Sequence, residues 1–172
     1  MDPGVRRDDD VERYCMTSPK SLSRTSLSTV SATTIVSALL TVQTSGAGFI
    51  DLTAEIAKFV REAGAREGAV TLFIRHTSAS LTIQENADPS VLDDLLTALD
   101  RAAPENAGWS HDTEGPDDMP AHIKTMLTAN SLHIPVLGSE LALGTWQAIY
   151  LIEHRARAHR REIVLQFAGA TG

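Results

Sequence analysis

The chain has 172 residues, 42% of them hydrophobic, and a formal net charge of -7. That length holds one domain with a sizeable core, and no apolar run reaches the ~18 residues of a membrane span. The acidic balance argues against a nucleic-acid binder, which needs clustered Lys and Arg to neutralise phosphates.

The first part of the chain differs from the rest. Residues 1–13 are charged and include Asp8-Asp9-Asp10, and residues 17–34 are largely Ser and Thr. Such a stretch buries too little apolar surface to offset the entropy of ordering. It also lacks the apolar core and cleavage site of a secretory signal. We expect a disordered extension over 1–33 and one folded domain over 34–172. Met16 offers a second start of translation, under which the single cysteine, Cys15, is absent. One cysteine rules out an intrachain disulfide and fits a reducing cytoplasm.

Thr34 to Val42 is rich in β-branched residues and reads as a strand. Ser45-Gly46-Ala47-Gly48 then turns into a short strand at Phe49-Ile50. Asp51 or Thr53 can cap a helix that runs to Gly64, with Leu52, Ile56, Phe59 and Val60 on one face. Strands follow at Ala69 to Arg75 and Ala79 to Gln84, broken by His76-Thr77-Ser78. Asp88-Pro89 opens a second helix, since Asp caps well and Pro suits the first helical position. Its buried stripe is Val91, Leu92, Leu95, Leu96 and Leu99. A third helix is expected from Asp118 to Asn130, burying Ile123, Met126 and Leu127. Strands at Ser131–Val136, Glu140–Leu143, Trp146–Glu153 and Glu162–Phe167 close the chain. Strands outnumber helices and follow one another by tight turns. The fold class is therefore α+β, a single-domain mixed or antiparallel β-sandwich with about three helices.

The segment His111 to Lys124, HDTEGPDDMPAHIK, concentrates the chemistry. It carries two histidines and four carboxylates, which repel one another unless a cation or water screens them. Pro116 and Pro120 limit how the loop can relieve that repulsion. It is either a solvated surface loop or a cation site. The ten residues between His111 and His122 match no zinc-finger spacing, but two imidazoles beside carboxylates make a credible Zn- or Mn-type centre. His154, at a strand end, is a candidate third ligand. His76-Thr77-Ser78-Ala79-Ser80 is either a hydroxyl-rich edge or an anion pocket. Gln84 to Pro89 has a sufficient role as a helix cap, although a helix N-terminus also attracts anions. Trp146 suits a core or a subunit interface. Residues 154–161, HRARAHRR, are either a solvated basic turn or a phosphate site, because guanidinium groups bind phosphate bidentately. His133 and His159 look peripheral.

HTSASLTIQENADP, HDTEGPDDMPAHIK, GTWQ and EHR, in this order, resemble the YjbQ family, often labelled secondary thiamine-phosphate synthase. The resemblance covers about residues 34–170. It implies a small α+β sandwich, a homotrimer with pockets between subunits, and a divalent metal, zinc first, with magnesium or manganese as alternatives. By position it implies metal ligands at His111, His122 and His154. Catalytic or proton-handling roles fall to His76, Glu114 and Asp118, and phosphate contacts to Ser78, Ser80, Asn86, Thr145 and Arg155. Ala148 stands where the family pattern has glycine. The family label means joining a pyrimidine diphosphate to a thiazole phosphate with loss of pyrophosphate. The usual enzyme for that step is a barrel of roughly 250 residues, so this domain would have reached the activity independently. The implied function is a metal-dependent enzyme acting on small phosphorylated metabolites, in the cytoplasm. The alternatives are a metal-dependent hydrolase and a non-catalytic metabolite-binding trimer.

Overall fold

A computed structural model describes residue 23 and residues 26–172. Most of the expected extension, with Cys15 and Met16, lies outside the described residues. In chain order the elements are β1 (Thr34–Gln43), β2 (Gly48–Asp51), α1 (Thr53–Glu62), β3 (Ala65–Ile74), β4 (Ala79–Glu85), α2 (Pro89–Ala102), α3 (Asp118–Leu127), β5 (Ser131–Leu137), β6 (Glu140–Leu141), β7 (Gln147–Glu153) and β8 (Arg160–Thr171). They form a five-stranded sheet, β1-β8-β3-β5-β6, and a three-stranded sheet, β2-β7-β4. Every strand pair is antiparallel, so the expected α+β sandwich is the observed architecture.

Period-two alternation positions the core. On β8, Ile163, Leu165 and Phe167 point inward. They meet Val70, Leu72 and Ile74 of β3, Ile134 and Val136 of β5, and the α1 residues Ile56, Phe59 and Val60. Leu81 of β4 with Ile149 and Leu151 of β7 brings the second sheet onto the same core. Each such aliphatic or aromatic side chain contributes about 1.5–3 kcal/mol on burial. The β3–β8 pairing is tight at one point. A methyl group on Gly169 would lie 2.2 Å from the Glu67 carbonyl oxygen, beside a register shift between Ala65 and Glu67.

The helices depart from the sequence expectations in instructive ways. α1 starts after Leu52 without a side-chain cap of its own, and the Asp51 carboxylate instead accepts the Thr53 N–H at 2.8 Å. α2 is capped as expected, with Asp88 accepting the Ser90 N–H at 2.9 Å. None of its five stripe residues is fully buried. α3 ends at Leu127, not Asn130. The carbonyls of Ala129 and Asn130 are taken by the N–H groups of Leu81 and Ile74, which pulls the chain out of the helix and onto strands β4 and β3. The face expected to be buried is also wrong. Met126 is 84% exposed and Leu127 59%, while Asp118, Pro120, Ala121 and Lys124 are buried. Lys124 can be buried because its ammonium meets Asp100 of α2 at 2.6 Å. Trp146 is exposed, which excludes the core role.

Several of the candidate site residues meet at one edge of this sandwich. There β3 ends into His76-Thr77-Ser78, β7 ends at Glu153, and β8 begins at Arg160. α3 brings its N-terminal turn to the same edge.

Candidate metal centre

Asp118 and His122 lie one helical turn apart on α3 and so project from the same face. His111 reaches them from the long connection between α2 and α3. Its Nε2 stands 2.8 Å from Asp118 Oδ2, and His122 Nε2 stands 3.7 Å from the same oxygen. One ligand atom from each residue fits within 4.8 Å of the others. The two imidazole rings are tilted by 53°, with centroids 5.5 Å apart. Asp118 Oδ2 is buried and accepts no hydrogen bond. The His111 nitrogen 2.8 Å away makes a close contact with it but no hydrogen bond.

The rest of Asp118 is held firmly. Its Oδ1 accepts from the Arg155 guanidinium. Arg155 also donates from Nε to Asp117 Oδ2 at 3.0 Å and from Nη2 to the Glu114 carbonyl at 2.8 Å. Burial opposes the Arg155 cation, but Asp117, Asp118 and Glu114 outweigh it and raise its pKa above the ordinary value. Burial likewise pushes the Asp117 carboxyl up, yet the Ala156 N–H and Arg155 hold it below the usual range. Gly115 makes the turn beneath this clamp possible. It sits at φ +119°, and a methyl group there would lie 3.1 Å from Asp117 Oδ1.

His122 is oriented too. Its Nδ1 lies 3.0 Å from the Thr77 carbonyl, an acceptor only, so Nδ1 carries a proton, and in the neutral imidazole Nε2 presents its lone pair. An imidazole whose far nitrogen is fixed by a backbone carbonyl is the usual arrangement of a histidine that binds metal. Three donor atoms converge, one of them an orphaned buried carboxylate oxygen. Tetrahedral zinc would place such ligand atoms roughly 3.3 Å apart, between the two spacings measured here. Two imidazoles and one carboxylate suit zinc or manganese better than magnesium, which prefers oxygen. The donor set therefore fits a divalent cation.

The other expected site residues fall elsewhere. His154 stands outside the cluster. It is 3% exposed and its Nε2 pairs with Ser80 Oγ at 2.8 Å. Burial, then the nearby Lys124, lowers its pKa to about 4. His154 and Ser80 thus pair with each other inside the fold, and His154 is not among the three residues whose ligand atoms converge. His76 Nε2 accepts the Glu162 N–H at 2.9 Å, and burial with Arg161 lowers its pKa, so that nitrogen holds a strand end in place. Arg155 spends its guanidinium on carboxylates and has little left for phosphate. The Glu114 side chain is 70% exposed, 3.8 Å from Arg155. The Ser78 carbonyl receives Arg161 at 3.3 Å. Asn86 and Thr145 lie at the far end of the three-stranded sheet. There Glu85 pairs with Gln147, whereas Ala79 pairs with Glu153 at the site end. That is six residues, or roughly 20 Å along the strand.

Sequence reasoning missed Asp117, the Thr77 carbonyl and the Glu153–Arg161 pair. Asp117 stands beside Asp118 in the same acidic run, a signal that was available. A backbone carbonyl leaves no trace in residue identity.

The sequence pattern of the UPF0047 protein YjbQ-like family matches residues 38–170. The chain belongs to the YjbQ/UPF0047 family. It is 46% identical over 132 residues to a UPF0047 protein of Synechocystis, covering 76% of this chain and 90% of that protein. A crystal structure of a YjbQ/UPF0047 protein from Clostridium acetobutylicum superposes with a TM-score of 0.70 at 37% identity, over 76% of this chain and 98% of that one. A YbjQ-like protein from Sulfolobus solfataricus shares the fold, with a TM-score of 0.71 at 22% identity over 80% and 100% of the two chains. No helix among the described residues of this YjbQ/UPF0047 protein is long and apolar enough to cross a membrane.

Proposed function

We propose that the chain is a metal-dependent enzyme acting on a small phosphorylated molecule, with its cation held by His111, Asp118 and His122. The observation that carries this is the buried Asp118 Oδ2, which accepts no hydrogen bond and lies within reach of two imidazole nitrogens. A buried carboxylate oxygen without a partner costs free energy, and a cation removes that cost. Once bound, a divalent cation would supply Lewis acidity toward phosphate oxygens.

The chain's own residues have separable tasks. Arg155 fixes the Asp118 carboxyl so that one oxygen faces the imidazoles. The Thr77 carbonyl fixes the His122 tautomer. Beside His122 lies an open cavity of about 540 Å³, lined also by Thr77, Thr125, Asn130 and Ser131. Its hydroxyls and amide suit a polar, oxygen-rich substrate, and the exposed Arg157 adds positive charge to the loop after Arg155, whereas Arg160 opens β8 and pairs with Glu162 at 2.5 Å. Thiamine-phosphate synthesis, with pyrophosphate as leaving group, belongs to this class of reaction. Hydrolysis of a phosphate ester is its alternative, and a non-catalytic binding trimer is the third reading.

A homotrimer accords with the exposed Ile35, Leu39, Phe73, Met126, Leu127 and Trp146. The single cysteine accords with a cytoplasmic setting.

Metal analysis of the purified protein, followed by a screen with phosphorylated metabolites, tests the proposal. It predicts about one divalent cation per chain and release of pyrophosphate or phosphate that stops in His122→Ala. Release of pyrophosphate favours the synthase, and free phosphate favours the hydrolase. Metal-free protein that binds no added zinc or manganese contradicts the proposal. Ligand binding with no turnover would favour the third reading.

A further inference from the structure

Glu153 is fully buried, and its carboxylate is fully used. Oε1 accepts the Arg155 backbone N–H at 2.9 Å and Arg161 Nη2 at 2.5 Å. Oε2 accepts Arg161 Nε at 2.6 Å and the Thr44 hydroxyl at 3.0 Å. Arg161 is buried as well, and its Nη2 also reaches the Ser78 carbonyl at 3.3 Å. Burial pushes the Glu153 carboxyl up, but Arg161 and the Arg155 N–H outweigh it and hold it below the usual range.

This pair stands at strand ends, and its hydrogen bonds run into the two segments that hold the candidate cation ligands. One branch passes through the Arg155 backbone to the guanidinium that grips Asp118 Oδ1. The other passes through Arg161 to Ser78, next in sequence to Thr77, whose carbonyl orients His122. A buried ion pair adds little net stability over apolar residues of the same shape. Its hydrogen bonds can, however, set geometry at a distance from the reacting atoms.

We infer that the buried Glu153–Arg161 pair is a positioning device that fixes Asp118 and His122 together for cation binding. The inference rests on the metal reading proposed above. Neither residue touches the cluster; each acts through another.

Two variants and a control test it in the full-length protein, with Co²⁺ alone as probe. Glu153→Gln removes the charge of the hub. Arg161→Lys keeps a cation opposite Glu153 but cannot reach Glu153 and Ser78 together, and it keeps the test informative if Glu153→Gln fails to fold. Val70→Ala lowers stability in the core, away from the pair. The inference predicts Co²⁺ affinity about tenfold or more below wild type in both pair variants. Their visible Co²⁺ spectrum also shifts, while Val70→Ala matches wild type in both readouts. The ¹⁵N shifts of His122 in metal-free protein give an independent readout. One fixed tautomer in wild type should give way to mixed tautomers in Arg161→Lys. Wild-type affinity and spectrum in the folded variants would overturn the inference. If wild-type protein binds no Co²⁺, the metal reading fails, and the His122 shifts alone decide the positioning claim. An unchanged tautomer in Arg161→Lys would then overturn it.

Discussion

Two polar clusters lie at the same edge of the sandwich, and they are built on opposite principles. In the Glu153–Arg161–Thr44 cluster every buried polar atom has a partner. In the His111–Asp118–His122 cluster a buried carboxylate oxygen has none, and both histidines are partly open to solvent. The Ser80–His154 pair belongs with the first kind. Saturation marks polar residues whose task ends inside the fold. An unsatisfied acceptor facing an opening marks a place left for something else.

The contrast can be broken first at Asp118. Asp118→Asn replaces one carboxylate oxygen by an amide, and it should weaken divalent cation binding at least about 100-fold, more than loss of an outer partner does. Isothermal titration with zinc checks this, and wild-type affinity would erase the distinction between the clusters.

His154→Ala makes the converse case. It should cost roughly 2–4 kcal/mol in urea unfolding, through a cavity and an unpaired Ser80. Zinc affinity should change less than threefold. A large loss of zinc binding with little loss of stability would return His154 to the ligand set.

His154 also predicts a pH dependence. Its folded pKa, about 4, lies below the ordinary histidine value of 6.5. Between those values the unfolded chain binds the proton and the folded chain does not, so stability is fully present above pH 6.5 and falls as pH drops toward 4. The contribution is about 3 kcal/mol. His154→Asn should flatten that part of the urea-midpoint profile by a corresponding amount. The depressed Glu153 carboxyl adds loss in the same direction, at pH values below its ordinary range.

The smallest effect is expected on the surface. Arg75→Ala breaks an exposed ion pair with Glu162 at 3.2 Å, and it should shift stability by less than about 0.5 kcal/mol and leave zinc binding unchanged. Thermal melts with and without zinc check both.

Local rules made most of the fold legible. Asp88-Pro89 announced α2 through a cap and a compatible proline. The strands read at Ala79 to Gln84 and Glu162–Phe167 fall within β4 and β8. The end of α3 was not legible, because strands β3 and β4 claim the carbonyls of Ala129 and Asn130 through pairing across the chain. Met126 and Leu127 follow helical spacing, yet the helix lays its Asp118–Lys124 face inward. At the site, His111 and His122 were legible from the density of charge around them. Asp118 was singled out but given a proton-handling role, since nothing in a run of four carboxylates says which one is buried. Arg155 looked like a phosphate anchor because a guanidinium in a basic stretch is equally suited to carboxylates. Only the fold brings Asp117 and Asp118 to it.

The central claim is that a cation belongs between His111, Asp118 and His122. A crystal of zinc-loaded protein, measured at the zinc absorption edge, tests it directly. The account predicts one anomalous peak per chain within bonding distance of His111 Nε2, Asp118 Oδ2 and His122 Nε2. A peak bonded to His154 instead, or none at saturating zinc, would contradict it.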